Sequence, residues 1–136
     1  MTDITPILVL GCVKSGKTSE IVRLARRFSV LGMKIIAIKH ISDSRGHDSD
    51  GFTTSRDGVR MPTTHEVATL DFDTLIGPQK ERVVIVIDEG QFFGESLVPF
   101  VDAAVLAGHR VIVAGLHADF RRRPFPCISD LVARSH

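Results

Sequence analysis

Residues 11–18 read Gly-Cys-Val-Lys-Ser-Gly-Lys-Thr and match the pattern G-x-x-x-x-G-K-S/T of a phosphate-binding loop. An apolar, strand-like run at 7–10 precedes the loop, and a stretch of helical periodicity at 17–31 follows it. In a strand–loop–helix arrangement of this kind, the backbone N–H groups of the loop converge on phosphate oxygens at the positive end of the helix. The chain is therefore predicted to bind a nucleoside triphosphate, and an ordinary glycine turn is the alternative.

Each position of the loop receives a role in nucleotide binding. Glycine at 11 and 16 lets the chain turn tightly around an anion without a Cβ in the way. Lys17 is predicted to reach the β- and γ-phosphates and to take part in catalysis, and the Thr18 hydroxyl is predicted to ligate Mg²⁺. The predicted nucleotide-binding residues of this segment are Gly11, Cys12, Val13, Lys14, Ser15, Gly16, Lys17 and Thr18.

The composition is that of one ordinary globular domain spanning residues 1–136, with 43% apolar and 24% charged residues. Seventeen Lys and Arg against sixteen Asp and Glu leave a formal charge of +1, so neither a nucleic-acid nor a membrane partner is expected. The apolar runs are strand-sized and the N-terminus lacks signal-peptide features, which favours a cytoplasmic protein. Cys12 and Cys127 stand alone and predict neither a zinc site nor a disulfide framework.

Strand-like and helical segments alternate along the chain. Apolar runs predict strands at 7–10, 34–39, 83–87 and 110–116, and helical periodicity predicts helices at 17–31 and 96–107. The apolar face of the first helix is predicted to include Leu31, and Gly32 is predicted to end that helix. The alternation predicts an α/β fold, a doubly wound and mainly parallel sheet with helices on both faces.

Three regions carry a weaker pattern. The polar, glycine-containing segment 42–58 is predicted to form a mobile loop or a hairpin. Residues 63–77 are predicted to form a short strand followed by a helix that starts near Asp71. The last twenty residues are predicted to be loop-like, with one helical turn or two near the end.

Asp88 and Glu89 follow directly after the apolar run 83–87. An acidic residue at the carboxyl end of a buried parallel strand lies where such sheets bind ligands. Asp88 is therefore predicted to hold Mg²⁺ from the side opposite Thr18, and Glu89 to act as a general base on an attacking hydroxyl. An acidic strand end before a turn, without chemistry, is the alternative.

Four stretches together resemble the thymidine kinase family of the cellular, cytosolic type. Residues 87–93, Ile-Asp-Glu-Gly-Gln-Phe-Phe, resemble its metal-and-base motif, and residues 39–45 resemble its second strand with an acid-x-arginine after it. Residues 54–58 resemble the segment that closes a flexible lid at 42–58, and 111–125 resemble the fourth strand and its phenylalanine-rich loop. The resemblance spans 7–134 and implies a RecA-like P-loop fold that transfers the γ-phosphate of ATP to the 5′-hydroxyl of thymidine.

The resemblance also implies roles beside the phosphates. Arg45, paired with Asp43, would stabilise charge on the transferring group, as arginines do in phosphoryl transfer generally. A solvated loop pair is the alternative. Gln91 is placed with the nucleotide-binding residues, although orienting Glu89 or shaping the turn would also explain it.

On the nucleoside side, the resemblance implies that four apolar side chains enclose the pyrimidine. These are Phe92, Leu116, Phe120 and Phe125. A base stacked on an aromatic face is a common arrangement in nucleic-acid binders. For each phenylalanine taken singly, packing in the core is the alternative.

The family continues with a further strand, a four-cysteine zinc site and a lasso loop that holds the thymine, none of which this sequence contains. No zinc is therefore expected, and the nucleoside side of the site is expected to be incomplete. ATP, thymidine and Mg²⁺ are the expected ligands, and a homodimer or homotetramer is the expected assembly. Three alternatives stay open: a catalytically impaired nucleotide-binding subunit or fragment, a kinase completed by a partner subunit, and a P-loop ATPase.

Overall fold

The computed structural model describes residues 6–11, 17–41, 52–54, 60–116, 118, 121 and 123–134. The strands are β1 (Ile7–Gly11), β2 (Ile35–His40), β3 (Phe52–Thr54), β4 (Arg60–Pro62), β5 (His65–Val67), β6 (Val84–Asp88) and β7 (Arg110–Leu116). The helices are α1 (Lys17–Val30), α2 (Phe72–Leu75), α3 (Leu97–Leu106) and α4 (Pro126–Arg134), and a 3-10 helix covers Gly90–Ser96.

Five strands form one sheet in the order β1-β7-β6-β2-β5, and every pair in it is parallel. Strand β7 therefore lies between β1, which leads into the phosphate-binding loop, and β6, which ends at Asp88. Because all five strands run the same way, their carboxyl ends lie along one edge of the sheet. Ligands of open parallel sheets bind at that edge.

The central strands are buried on both faces. One apolar cluster lies beneath α1 and contains Ile21, Val22, Ala25, Ala37, Val84, Val86, Ile112 and Ala114. The other lies beneath α3 and α4 and includes Ile85, Ile87, Leu97, Phe100, Val111, Val113, Ile128 and Leu131. A strand covered on both sides has no polar face, which explains the continuous apolar runs in the sequence. The predicted α/β class, with a parallel sheet and helices on both faces, is confirmed.

Helix α1 ends one residue earlier than predicted. The chain leaves the helix through Gly32, whose φ of 86° lies in the left-handed region that favours glycine. Leu31 consequently points away from the sheet and is 74% exposed. The prediction that Leu31 belongs to the apolar face of the helix was wrong, because the helical register no longer applies at that position.

Two helical elements go beyond the sequence prediction. The 3-10 helix between β6 and α3 was not predicted, although it buries Gly90, Gln91 and Phe93. Helix α4 is nine residues long, where one turn or two were predicted, and it buries Ile128 and Leu131 in the larger apolar cluster. No helix that the structure describes is long and apolar enough to cross a membrane.

The segment predicted as a loop or hairpin contains a strand. Residues 52–54 form β3, which pairs antiparallel with β4 so that Phe52 lies opposite Pro62. The hairpin alternative is therefore the correct one for this part of the segment. Residues 42–51 and 55–59, which include the rest of the lid predicted at 42–58, lie outside the described residues.

Candidate active site at the carboxyl edge of the sheet

The carboxyl edge of the sheet brings together the ends of strands that are far apart in the sequence. Gly11 at the end of β1 is paired in register with Leu116 at the end of β7. Asp88 at the end of β6 is paired with Lys39 near the end of β2. The start of the phosphate-binding loop and the acidic motif therefore lie on the same edge, separated by β7.

The phosphate side has the backbone context that the motif requires. Strand β1 ends at Gly11 and helix α1 begins at Lys17, so the loop runs from a strand end to a helix N-terminus. Only the backbones of Gly11, Lys17 and Thr18 are described. Eight other predicted site positions lie outside the described residues: Cys12, Val13, Lys14, Ser15, Gly16, Asp43, Arg45 and Phe120. The roles assigned to these residues stay predictions.

Asp88 is a buried carboxylate, 6% exposed, beside an equally buried cation. Its Oδ1 accepts a hydrogen bond from the backbone N–H of Glu89 at 2.9 Å. Lys39, 3% exposed, lies opposite Asp88 in the parallel register, so the two side chains point to the same face of the sheet. The Lys39 ammonium also lies 3.8 Å from a carboxylate oxygen of Glu66. Sequence analysis assigned no role to Lys39. The feature that could have pointed to it is a charged residue at the end of an apolar strand.

Glu89 adopts an unusual backbone conformation. With φ 55° and ψ 49° it is the one non-glycine residue with positive φ in the described part of the chain. Such a conformation costs an ordinary side chain about 1–2 kcal/mol, and it persists only where the surroundings hold it. The next residue, Gly90, fits against β7 so closely that a Cβ there would lie 2.9 Å from Cγ1 of Val113. The turn after β6 is therefore pressed against the neighbouring strand.

The Gln91 side chain joins this turn to the end of β7. Its Nε2 donates to Oε2 of Glu89 at 2.5 Å, and its Oε1 accepts from the backbone N–H of Leu116 at 3.0 Å. Gln91 is 6% exposed as a residue, so its hydrogen bonds are largely shielded from water. We call the connection of Glu89, Gln91 and Leu116 the amide bridge. The structure thus places Gln91 against the predicted base.

The amide bridge needs a glycine beneath it. A Cβ on Gly115 would lie 2.8 Å from Oε1 of Gln91, closer than real contacts allow. The Gln91 amide occupies the space that a side chain at position 115 would fill, and from there it bonds to Leu116. Sequence analysis gave Gly115 no role, because a single glycine near the end of a strand has many explanations.

Cys127 completes the surroundings of Gln91. Its Sγ donates to the backbone carbonyl oxygen of Gln91 at 3.8 Å, the long distance typical of a weak sulfur donor. Burial raises the pKa of the Cys127 thiol above its ordinary value. The thiol form is therefore favoured at neutral pH, and this cysteine acts as a small, weakly polar contact under the turn.

Aromatic side chains line the same edge. Phe92 is 42% exposed and its ring centroid lies 5.6 Å from that of His40, whereas Phe93 is 4% exposed and its ring meets that of His40 edge-on at 5.0 Å. Leu116 is half-buried at the end of β7. Phe125, also half-buried, packs against the larger apolar cluster. Of the predicted nucleoside-binding residues, Phe92 thus presents the most accessible ring among those described.

The predicted magnesium site is compatible with the donors present. No group of three His, Cys, Asp or Glu side chains gathers as a metal cluster within the described ranges. A Mg²⁺ ion bound together with a nucleotide needs only one or two protein carboxylates, because phosphate oxygens and waters supply its remaining ligands. Asp88 offers one such carboxylate at the carboxyl edge of the sheet, so the donor groups present are of the kind that Mg²⁺ binds.

Comparison with known proteins gives the family. The sequence matches the thymidine kinase family over residues 5–136. A thymidine kinase of Coprothermobacter proteolyticus is 37% identical over 126 residues, which are 93% of this chain and 61% of that protein. The thymidine kinases of Deinococcus deserti and Raccoon poxvirus are 34% and 36% identical over 134 residues, 94% of this chain, covering 66% and 68% of their own lengths. This chain spans about two thirds of the length of these relatives or slightly less. It belongs to the thymidine kinase family.

Proposed function

We propose that the protein transfers the γ-phosphate of ATP to the 5′-hydroxyl of thymidine. The family match over residues 5–136 supports the reaction class. The proposal rests above all on one observation: Glu89 is held beside the buried Asp88, at the edge where the phosphate-binding loop begins. When two carboxylates lie in different environments, one can bind the metal ion and the other can accept a proton.

In the proposed reaction the 5′-hydroxyl oxygen attacks the γ-phosphorus while Glu89 accepts the hydroxyl proton. The new oxygen–phosphorus bond forms as the bond between the γ-phosphorus and the ADP oxygen breaks, so the products are dTMP and ADP. Glu89 stays partly accessible, whereas Asp88 is nearly enclosed. The more accessible carboxylate is the one that can meet a substrate hydroxyl.

The phosphate groups would be held by the loop backbone, Lys17 and Arg45, which offset the charge of the transferring group. Thr18 and Asp88 would hold Mg²⁺, which when bound neutralises charge on the phosphates. Strand β1 and helix α1 supply the geometry for the loop. The buried Lys39, opposite Asp88 in the strand register, would help to balance the charge of that carboxylate, because an unpaired charge in that position would be costly.

The pyrimidine would be enclosed by Phe92, Leu116, Phe120 and Phe125. The accessible Phe92 ring, braced by His40, supports this for the first of them. A homodimer or homotetramer and a cytoplasmic location belong to the same proposal and rest on the family resemblance. Light scattering of the purified protein would decide the assembly.

A nucleotide-binding subunit without catalysis is the second candidate. The match covers 61%, 66% and 68% of the lengths of the relatives named above, so the activity in their names is a proposal for this chain. ATP binding without phosphoryl transfer would then be the whole activity.

Phosphate transfer from γ-labelled MgATP tests both candidates. The purified 136-residue chain is incubated with and without thymidine, and label is followed in dTMP and in free phosphate. Thymidine-dependent label in dTMP supports the kinase. Nucleotide binding without transfer supports the second candidate, and release of phosphate independent of thymidine identifies a P-loop ATPase.

A further inference from the structure

We propose that Gln91 is a positioning residue that fixes the Glu89 carboxylate relative to the phosphate-binding loop and presents Oε1 of Glu89 to the substrate hydroxyl. The inference rests on the proposed function, because it assumes that Glu89 is the base. In this inference Gln91 holds the Glu89 carboxylate and does not contact the nucleotide directly. Four observations carry it.

The orientation of the Gln91 amide follows from its partners. The backbone N–H of Leu116 can only donate, so the atom that faces it must be the amide oxygen. The amide nitrogen consequently faces Glu89, where it donates to Oε2 at 2.5 Å. A glutamine bonded at both ends in this way has one allowed orientation, and the two hydrogen bonds define it without ambiguity.

The hydrogen bond distinguishes the two oxygens of Glu89. Oε2 is occupied by the Gln91 amide, whereas Oε1 makes no hydrogen bond to any side chain or backbone group that the structure describes. A hydrogen bond to one oxygen also restricts rotation of the carboxylate about its last bond. The structure thereby leaves Oε1 as the oxygen that can take a proton.

The far end of the amide bridge is attached to the strand beside the phosphate-binding loop. Leu116 is the last residue of β7 and is paired in register with Gly11, the residue with which the loop begins. The path from Glu89 through Gln91 to Leu116 therefore ends on the strand pair that carries the loop. Proton acceptor and phosphate binder are tied to one rigid part of the sheet, as transfer between positioned groups requires.

Both neighbours of the amide bridge are shaped for it. Gly115 leaves room for Oε1 of Gln91, since a Cβ there would approach it to 2.8 Å. Glu89 itself has a left-handed backbone, which its side-chain hydrogen bond to Gln91 helps to maintain. A turn residue without a positioning role would require neither the clearance nor the bond to the carboxylate.

Two substitutions separate positioning from support of the turn. Gln91→Ala removes both hydrogen bonds. Gln91→Glu keeps an oxygen acceptor for the Leu116 N–H but sets a carboxylate against Glu89 where a donor belongs. We expect kcat for thymidine phosphorylation to fall on the order of 10–100-fold in both variants, with the KM for MgATP unchanged. Amide hydrogen exchange at Leu116 is expected to accelerate in Gln91→Ala and to stay slow in Gln91→Glu.

Gly115→Ala tests the same contact from the other side. It should displace the Gln91 amide and lower kcat, and combining it with Gln91→Ala should add little, because both changes break one connection. Gln79→Ala is the matched control. Gln79 also donates one side-chain hydrogen bond, from its Nε2 to the carbonyl oxygen of Ile76 at 2.7 Å, but lies outside the site. The control is expected to keep wild-type kcat.

The outcomes distinguish this inference from the proposed function. A wild-type chain that does not phosphorylate thymidine contradicts the proposed function, while exchange at Leu116 still reports whether Gln91 holds the strand end. If the wild type is active and Gln91→Glu retains its kcat, Gln91 does not position the base. Unchanged exchange at Leu116 in Gln91→Ala overturns the amide bridge itself.

Discussion

Phe92 and Phe93 are adjacent in the sequence and both lie beside the His40 ring, at centroid distances of 5.6 and 5.0 Å, yet they differ in exposure. Phe92 is 42% exposed and Phe93 only 4%. The 3-10 helix causes this division, because it turns successive side chains by about 120°. One phenylalanine is thereby available to a ligand and the other belongs to the core.

Replacing each phenylalanine by alanine should therefore have a different effect. Phe92→Ala is expected to raise the KM for thymidine by an amount equivalent to about 1–3 kcal/mol, because a stacking surface is lost. Phe93→Ala is expected to lower the free energy of unfolding by about 3–5 kcal/mol, because it leaves a cavity in the core. Urea unfolding and steady-state kinetics measure the two effects, and equal destabilisation by both would contradict this division.

Glu89→Gln should remove the proton acceptor while it preserves the size of the side chain. We expect kcat to fall by about 10²–10⁴-fold with nearly unchanged MgATP affinity, the range typical of general-base assistance. Glu81→Gln, at an exposed position before β6, is the control and should have no effect. Wild-type turnover in Glu89→Gln would exclude Glu89 from the mechanism.

Lys17→Ala should weaken nucleotide binding or turnover severely, because a loop lysine reaches the β- and γ-phosphates. Titration with a fluorescent ATP analogue and steady-state kinetics measure this. The exposed Lys34, at the far end of the same crossover between β1 and β2, provides the control Lys34→Ala. Kinetics equal to the wild type in Lys17→Ala would refute the assignment of the phosphate-binding loop.

Gly90→Ala should destabilise the turn after β6. The new Cβ would lie 2.9 Å from Cγ1 of Val113, a fully buried side chain with no space to retreat. Overpacking of this kind costs about 1–3 kcal/mol, and the displaced turn should also lower kcat. A denaturation midpoint and kcat equal to the wild type would show that the turn has room to adjust.

His109 should make stability depend on pH. The residue is 5% exposed, its Nδ1 accepts the backbone N–H of Val83 at 3.1 Å, and burial followed by the charge of Arg82 lowers its pKa below the ordinary 6.5. Below pH 6.5, His109 takes up a proton in the unfolded chain, whereas in the folded chain it does so only at a lower pH. The free energy of unfolding should therefore decrease as the pH falls from 6.5 towards the lower pKa of the folded state.

Urea unfolding at pH 7.5, 6.5 and 5.5 measures this dependence on either side of the ordinary histidine pKa of about 6.5. His109→Gln should reduce the slope, because the titrating group is gone. His65→Gln, on β5, is the matched control for the replacement of a histidine by glutamine. A wild-type slope in His109→Gln would assign the pH dependence to other groups.

The main elements of the fold and the position of the acidic motif could be predicted from the sequence. The runs 83–87 and 111–116 are apolar throughout, a pattern typical of strands that are buried on both faces. Asp88 and Glu89 follow such a run directly, so their place at the carboxyl edge was determined by local order. The phosphate-binding loop was predictable for the same reason, since the motif and its flanking elements are contiguous.

Only the tertiary structure decided which of these groups act together. Gln91 reaches the backbone of Leu116, a partner twenty-five positions away, because β7 lies beside β6 in the sheet. The register that sets Lys39 opposite Asp88, and the clearance at Gly115, depend on the same strand order. Sequence periodicity reports which face of an element is buried, but it carries no information about which strand is the neighbour. That neighbour supplies Leu116, the second partner of the Gln91 amide that bonds the predicted base.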